Sequence, residues 1–85
     1  MKEFTYKITD TMGLHARPAG EFVKEASTYE SNITISKGEK VVDAKKIFSV
    51  MGLVVKCGDE VKITLEGTDE DLASVTLQKF MQEHL

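Results

Sequence analysis

A two-layer α+β sandwich, with one largely antiparallel sheet covered on one face by three helices, is the fold this sequence predicts. Three observations carry it. The strand-like segments alternate apolar and polar residues instead of being apolar throughout, so the sheet has one buried face and one wet face. The helix-like segments carry their apolar residues at helical spacing, one stripe each. And 85 residues leave room for one domain only, residues 1–85, whose helices have that single sheet face to cover.

The elements follow in the order β-α-β-β-α-β-α. Phe4, Tyr6 and Ile8 alternate as a first strand, and Gly13 breaks the pattern into a loop over Thr11–His15. Ala19, Phe22, Val23 and Ala26 fall on one face of a helix. Pro18 stands in its first turn, where a missing N–H breaks no hydrogen bond. Ile33 and Ile35 mark a second strand and Val41 and Val42 a third, with Lys37-Gly38-Glu39-Lys40 as the hairpin turn between them. Ile47, Val50 and Met51 make a short second helix that Gly52 stops. After a turn at Cys57-Gly58-Asp59, Val61, Ile63 and Leu65 alternate as a fourth strand. Thr68 is expected to cap the last helix, with Asp69, Glu70 and Asp71 facing the positive end of its dipole. Ala73, Leu77, Phe80 and Met81 give that helix its buried stripe.

Composition narrows the function. A chain this short buries roughly 60% of the surface its unfolded form exposes, so a deep substrate cleft is out of reach and function belongs on the surface. The net charge of −3 argues against a nucleic-acid binder. The single cysteine, Cys57, excludes an internal disulfide and a multi-cysteine metal site, and a packed or idle thiol is the expectation. The opening Met1–Tyr6 is polar and alternating, unlike a secretory leader, and no apolar run approaches the ~20 residues of a membrane span. The expectation is a cytoplasmic monomer with no cofactor and no metal. Asp69, Glu70 and Asp71 are read as dipole compensation, not as a metal site. His84 is read as a solvated helix end.

The informative segment is Gly13-Leu14-His15-Ala16-Arg17-Pro18-Ala19. His15 falls at the start of a helix, where the first N–H groups lack internal partners and the dipole is positive, a ready site for a phosphate. A neutral imidazole there carries a lone pair that can attack phosphorus. After transfer, the backbone N–H groups at Ala16 and Arg17 and the Arg17 guanidinium can hold the phosphoryl oxygens. Gly13 permits the sharp turn that offers the imidazole to solvent, and Pro18 stiffens the mount.

This seven-residue string closely resembles the active-site motif of the HPr proteins, the histidine-containing phosphocarriers of the bacterial phosphoenolpyruvate-dependent sugar phosphotransferase system. The resemblance extends over the whole chain, in length, element order, the place of His15 and the Lys45–Leu53 segment. It implies an open-faced β-sandwich of four antiparallel strands and three helices. It also implies a carrier, not an enzyme with its own turnover. The carrier accepts a phosphoryl group from enzyme I on Nδ1 of His15, held by Arg17, and donates it to enzyme II A domains. The short helix beside the histidine docks both partners in that family. By resemblance the docking surface comprises Gly20, Lys24, Lys46, Ile47, Phe48 and Met51. Phe48 and Met51 form its centre, Lys24, Lys45 and Lys46 a basic rim suited to acidic partners. A short helix with Ile47, Phe48 and Met51 has too many large apolar groups to bury all of them, and Phe48 is expected to stay exposed.

Two positions depart from the family pattern. Many relatives in low-GC Gram-positive bacteria carry a serine where this chain has Lys46, and a dedicated kinase phosphorylates it to regulate carbon use. Lys46 has no hydroxyl to modify, and Ser49, expected to face outward, lies three residues further on. Gly20 stands where the family has a larger residue, at a cost of about 1 kcal/mol relative to alanine in a helix. Two other readings remain at this stage. One is a regulatory paralogue of the same fold that responds to the phosphorylation state of His15. The other is an unrelated α+β domain carrying the string by coincidence.

Overall fold

A computed structural model describes residues 1–85. Its elements are β1 (Lys2–Lys7), α1 (Ala16–Ala26), β2 (Asn32–Lys37), β3 (Lys40–Asp43), α2 (Ile47–Met51), β4 (Glu60–Glu66) and α3 (Glu70–His84). The four strands form one sheet in the order β1-β4-β2-β3, every neighbouring pair antiparallel. The register converts the alternation in sequence into two faces. Phe4, Ile63, Ile35 and Val42 lie side by side across all four strands beneath the helices, and the next row, Thr5, Lys62, Ser36 and Val41, faces outward. Phe22 of α1 and Leu77 and Met81 of α3 close the core over Ile33, Ile35, Ile63 and Leu65, all of them fully buried.

Some boundaries fall away from their expected places. β1 begins at Lys2 because its pairing with β4 runs from Lys2 opposite Leu65 to Lys7 opposite Glu60, taking in polar residues that the apolar alternation does not mark. Ile8 lies just past that ladder, with its N–H donating to the Asp59 carbonyl at 2.9 Å. The N-cap of α3 is Asp69 and not Thr68, and the Asp69 side chain does not cap the helix. Its carboxylate instead accepts the backbone N–H groups of Glu30 (2.9 Å) and Ser31 (3.0 Å) and the Ser31 hydroxyl, tying the α1–β2 loop to α3. Glu70 takes over the local work by accepting the Gly67 N–H at 3.1 Å. Gly52 does end α2, yet with an ordinary right-handed φ of −66°. The left-handed residue is Val54, at φ 53°. A β-branched residue there costs about 1–2 kcal/mol. Two hairpin lysines offset that cost by closing the exit of α2. Lys40 Nζ donates to the Gly52 carbonyl at 2.9 Å and Lys37 Nζ to that of Val54 at 2.8 Å.

Cys57 is free and exposed. No helix is long and apolar enough to cross a membrane.

Candidate functional site

The site is built on the loop between β1 and α1. Asp10 organises that loop: its carboxylate accepts the Met12 N–H at 2.8 Å and its carbonyl the Gly13 N–H at 2.9 Å. Gly13 has φ 68°, and a Cβ there would strike the Val55 carbonyl oxygen and lie 2.7 Å from Lys56 Cα. Glycine is thus required twice, for the conformation and for the close approach. The contact lets Leu14 N–H reach the Val55 carbonyl at 3.0 Å and seats the Leu14 side chain in the core. The opposing loop is held from beneath by Asp59, which accepts the Lys56 N–H (2.8 Å) and pairs with Lys37 Nζ (2.9 Å). The Lys56 N–H, then Lys37, hold the Asp59 carboxyl below the usual carboxylate range.

His15 is the N-cap of α1, extended in backbone (φ −86°, ψ −177°). Its carbonyl accepts the Ala19 N–H at 2.9 Å, but its side chain makes no capping bond. The half-exposed imidazole is therefore not spent on the helix. Neither the Ala16 nor the Arg17 N–H meets an acceptor in the chain, and Pro18 has none to offer. The Arg17 side chain is 87% exposed, and its one ion pair is with Glu21, at 3.9 Å from Nε. An uncommitted imidazole, the free N–H groups of Ala16 and Arg17 and an unburied guanidinium can together receive a group carrying negative oxygens.

His84 is exposed, as expected for a helix end, but it is not without contacts. Its ring packs on Phe80 with centroids 4.6 Å apart, and Phe80 packs on Phe22. Its Nδ1 lies 3.8 Å from the Glu21 carboxylate. Asp10, His15, Arg17, Pro18, Glu21 and His84 line one shallow depression. The next residue, buried Leu85, accepts the Asp10 N–H (2.8 Å) and the Thr9 hydroxyl (2.8 Å), tying the end of α3 to the loop between β1 and α1. Sequence reasoning missed Asp10, Glu21 and His84. The spacings of Glu21 one helical turn after Arg17 and of His84 one turn after Phe80 are the local signals that could have found two of them.

The residues named for docking lie on α1 and α2. Phe48 is 87% exposed and Met51 39%, while Ile47 is half-buried against the core. Lys24 and Lys46 are exposed. Lys46 is the N-cap of α2 and gives it no side-chain cap. Lys45 is tied down: its ammonium donates to the Tyr29 carbonyl at 2.7 Å, because the loop after α1 passes directly over it. Ser49 is half-buried. Gly20 is half-buried with nothing within 4 Å of where a Cβ would stand, so packing does not require glycine there.

A family model described as "PTS HPr component phosphorylation site" matches residues 2–83. A protein of Mycoplasma capricolum named phosphocarrier protein HPr is 44% identical over 81 residues, 95% of this chain and 91% of that protein. A crystal structure of HPr from Thermoanaerobacter tengcongensis superposes with a TM-score of 0.94 at 43% identity, covering 98% of this chain and 93% of that one. The crystal structure of Crh, described as the catabolite repression containing protein of Bacillus subtilis and as a dimer with a swapping domain, has a TM-score of 0.78 at 36% identity. It covers 100% of this chain and 98% of that one.

Proposed function

Because this chain belongs to the HPr family of phosphocarrier proteins, we propose that His15 carries a phosphoryl group from enzyme I to enzyme II A domains in phosphoenolpyruvate-dependent sugar uptake. The supporting observation is the place of His15: an N-cap whose side chain caps nothing, beside the free N–H groups of Ala16 and Arg17. In the step proposed, the bond from phosphorus to the donor breaks and its electron pair stays with the donor. The lone pair on His15 Nδ1 forms the new N–P bond, while Nε2 keeps its proton. The Arg17 guanidinium and the N–H groups at the helix start take up the charge of the phosphoryl oxygens. Passing the group on reverses the step, so the chain is a stoichiometric carrier.

The docking part of this reading centres on Phe48 and Met51, with Gly20 and Ile47 beside them and Lys24 and Lys46 at the rim. The carrier is read as a monomer acting in the cytoplasm. The likeness to Crh gives a second reading, regulation by phosphorylation state without onward transfer.

Intact mass after incubation with phosphoenolpyruvate, Mg²⁺, enzyme I and an enzyme II A domain tests both. We expect one acid-labile, base-stable phosphoryl group on the wild type, its loss to the A domain, and no label on His15→Ala. Label on the alanine variant would remove His15 from its role. Label that no A domain accepts favours the regulatory reading.

A further inference from the structure

Glu21 stands between Arg17 and the His84 ring. Its carboxylate oxygens lie 3.9 Å from Arg17 Nε and 3.8 Å from His84 Nδ1, and stacking on Phe80 fixes the His84 ring against it. The other carboxylate of the depression, Asp10, is already committed to the Met12 N–H and the turn it closes. Glu21 has no such structural employment. It is exposed, caps nothing and bonds no backbone group. It is the one negative charge in the depression free to act on what arrives there.

We propose that Glu21 is the counter-charge of the acceptor site, holding Arg17 while His15 is bare and repelling the phosphoryl oxygens once His15 is loaded, so that it sets how readily the group is given up. This rests on the reading of His15 as phosphoryl acceptor. Glu21 is a positioning residue, acting through Arg17 and through its field. The positive charge of Arg17 is shared between the carboxylate and the phosphoryl oxygens, and the two anions repel, so each weakens the other's hold. A carrier gains from this, because an acceptor that bound its group too well would not pass it on. His84 keeps the carboxylate beside the site.

The test is the equilibrium of loading. Wild type, Glu21→Gln and Glu21→Asp are equilibrated with catalytic enzyme I at fixed ratios of phosphoenolpyruvate to pyruvate, and the loaded fraction is read by intact mass at alkaline pH. Glu21→Gln keeps size and polarity but loses the charge, and should raise the loading constant roughly threefold to tenfold at low salt. The gain should shrink toward unity near ~0.5 M salt, where charges on a surface are screened over a few ångströms. Glu21→Asp should stay within about twofold of wild type, and thermal midpoints should agree, as expected for an exposed side chain. A loading constant for Glu21→Gln equal to that of wild type at low salt, or a gain indifferent to salt, overturns the proposal while leaving the acceptor role of His15 intact. A wild type that takes up no phosphoryl group overturns both.

Discussion

Gly13 and Arg17 flank His15, and alanine should harm the protein in opposite ways at the two positions. Alanine at 13 would have to adopt φ 68° and put its Cβ against the Val55 carbonyl and Lys56 Cα. The conformation alone costs about 1–2 kcal/mol, and the collision adds to it. Gly13→Ala should therefore lose at least that much in a denaturant titration. A loss under about 0.5 kcal/mol, the range of ordinary surface changes, would mean the two loops do not meet as described. Arg17 is 87% exposed and holds only one long contact. Arg17→Ala should unfold within that same ~0.5 kcal/mol of wild type yet accept phosphate more slowly, because charge-assisted contacts to the oxygens are gone. Uptake at the wild-type rate would sink its proposed role.

At the scale of elements, α2 is the most instructive. Its five residues bury Val50, half-bury Ile47 and leave Phe48 almost wholly in solvent. A phenyl ring this exposed supports no core, so Phe48→Ala should leave the thermal midpoint unchanged. If α2 docks partners, the same variant should raise the apparent Michaelis constant with enzyme I severalfold, since central apolar anchors dominate most interfaces. An unchanged constant would place docking elsewhere. The exposure of Phe48 was legible in the sequence, because a single short helix cannot hide three large apolar groups. The strands were legible for a similar reason: alternation maps directly onto the two faces of a sheet. What local pattern could not show is where a side chain spends its hydrogen bonds when its partner is distant. Thr68 and Asp69 are both capable caps, and the choice was made by Ser31, 38 residues away from Asp69. His84 reads as a solvated end because Glu21, which it faces, lies on another helix; Phe80, which it packs on, stands one turn back on its own.

The whole molecule should feel acid through the same long-range ties. Asp69 is held below the usual carboxylate range first by the Ser31 hydroxyl and then by the Glu30 N–H. Asp59 is held below it first by the Lys56 N–H and then by Lys37. A carboxyl whose pKa is lower folded than unfolded contributes stability that is complete above its unfolded value, near 4. That contribution fades as pH falls toward the folded value. Stability should thus be level with respect to these groups from neutral pH down to about 5, then decline. Asp69→Asn should be less stable at neutral pH and show a shallower decline below pH ~4. Parallel acid limbs for variant and wild type would mean that Asp69 does not bind the Ser31 loop in solution.

β4 lies between β1 and β2, with a full ladder on each side, and it is the last strand along the chain. During synthesis, β1 and the β2–β3 hairpin leave the ribosome with no partner between them. A hairpin by itself is marginal in water. The sheet can close only after Glu66 has emerged, and Leu77 and Met81, which cover it, come later still. His15 is made early but acquires its rigid mount almost at the end. A nascent chain should therefore be invisible to any partner that reads the folded site.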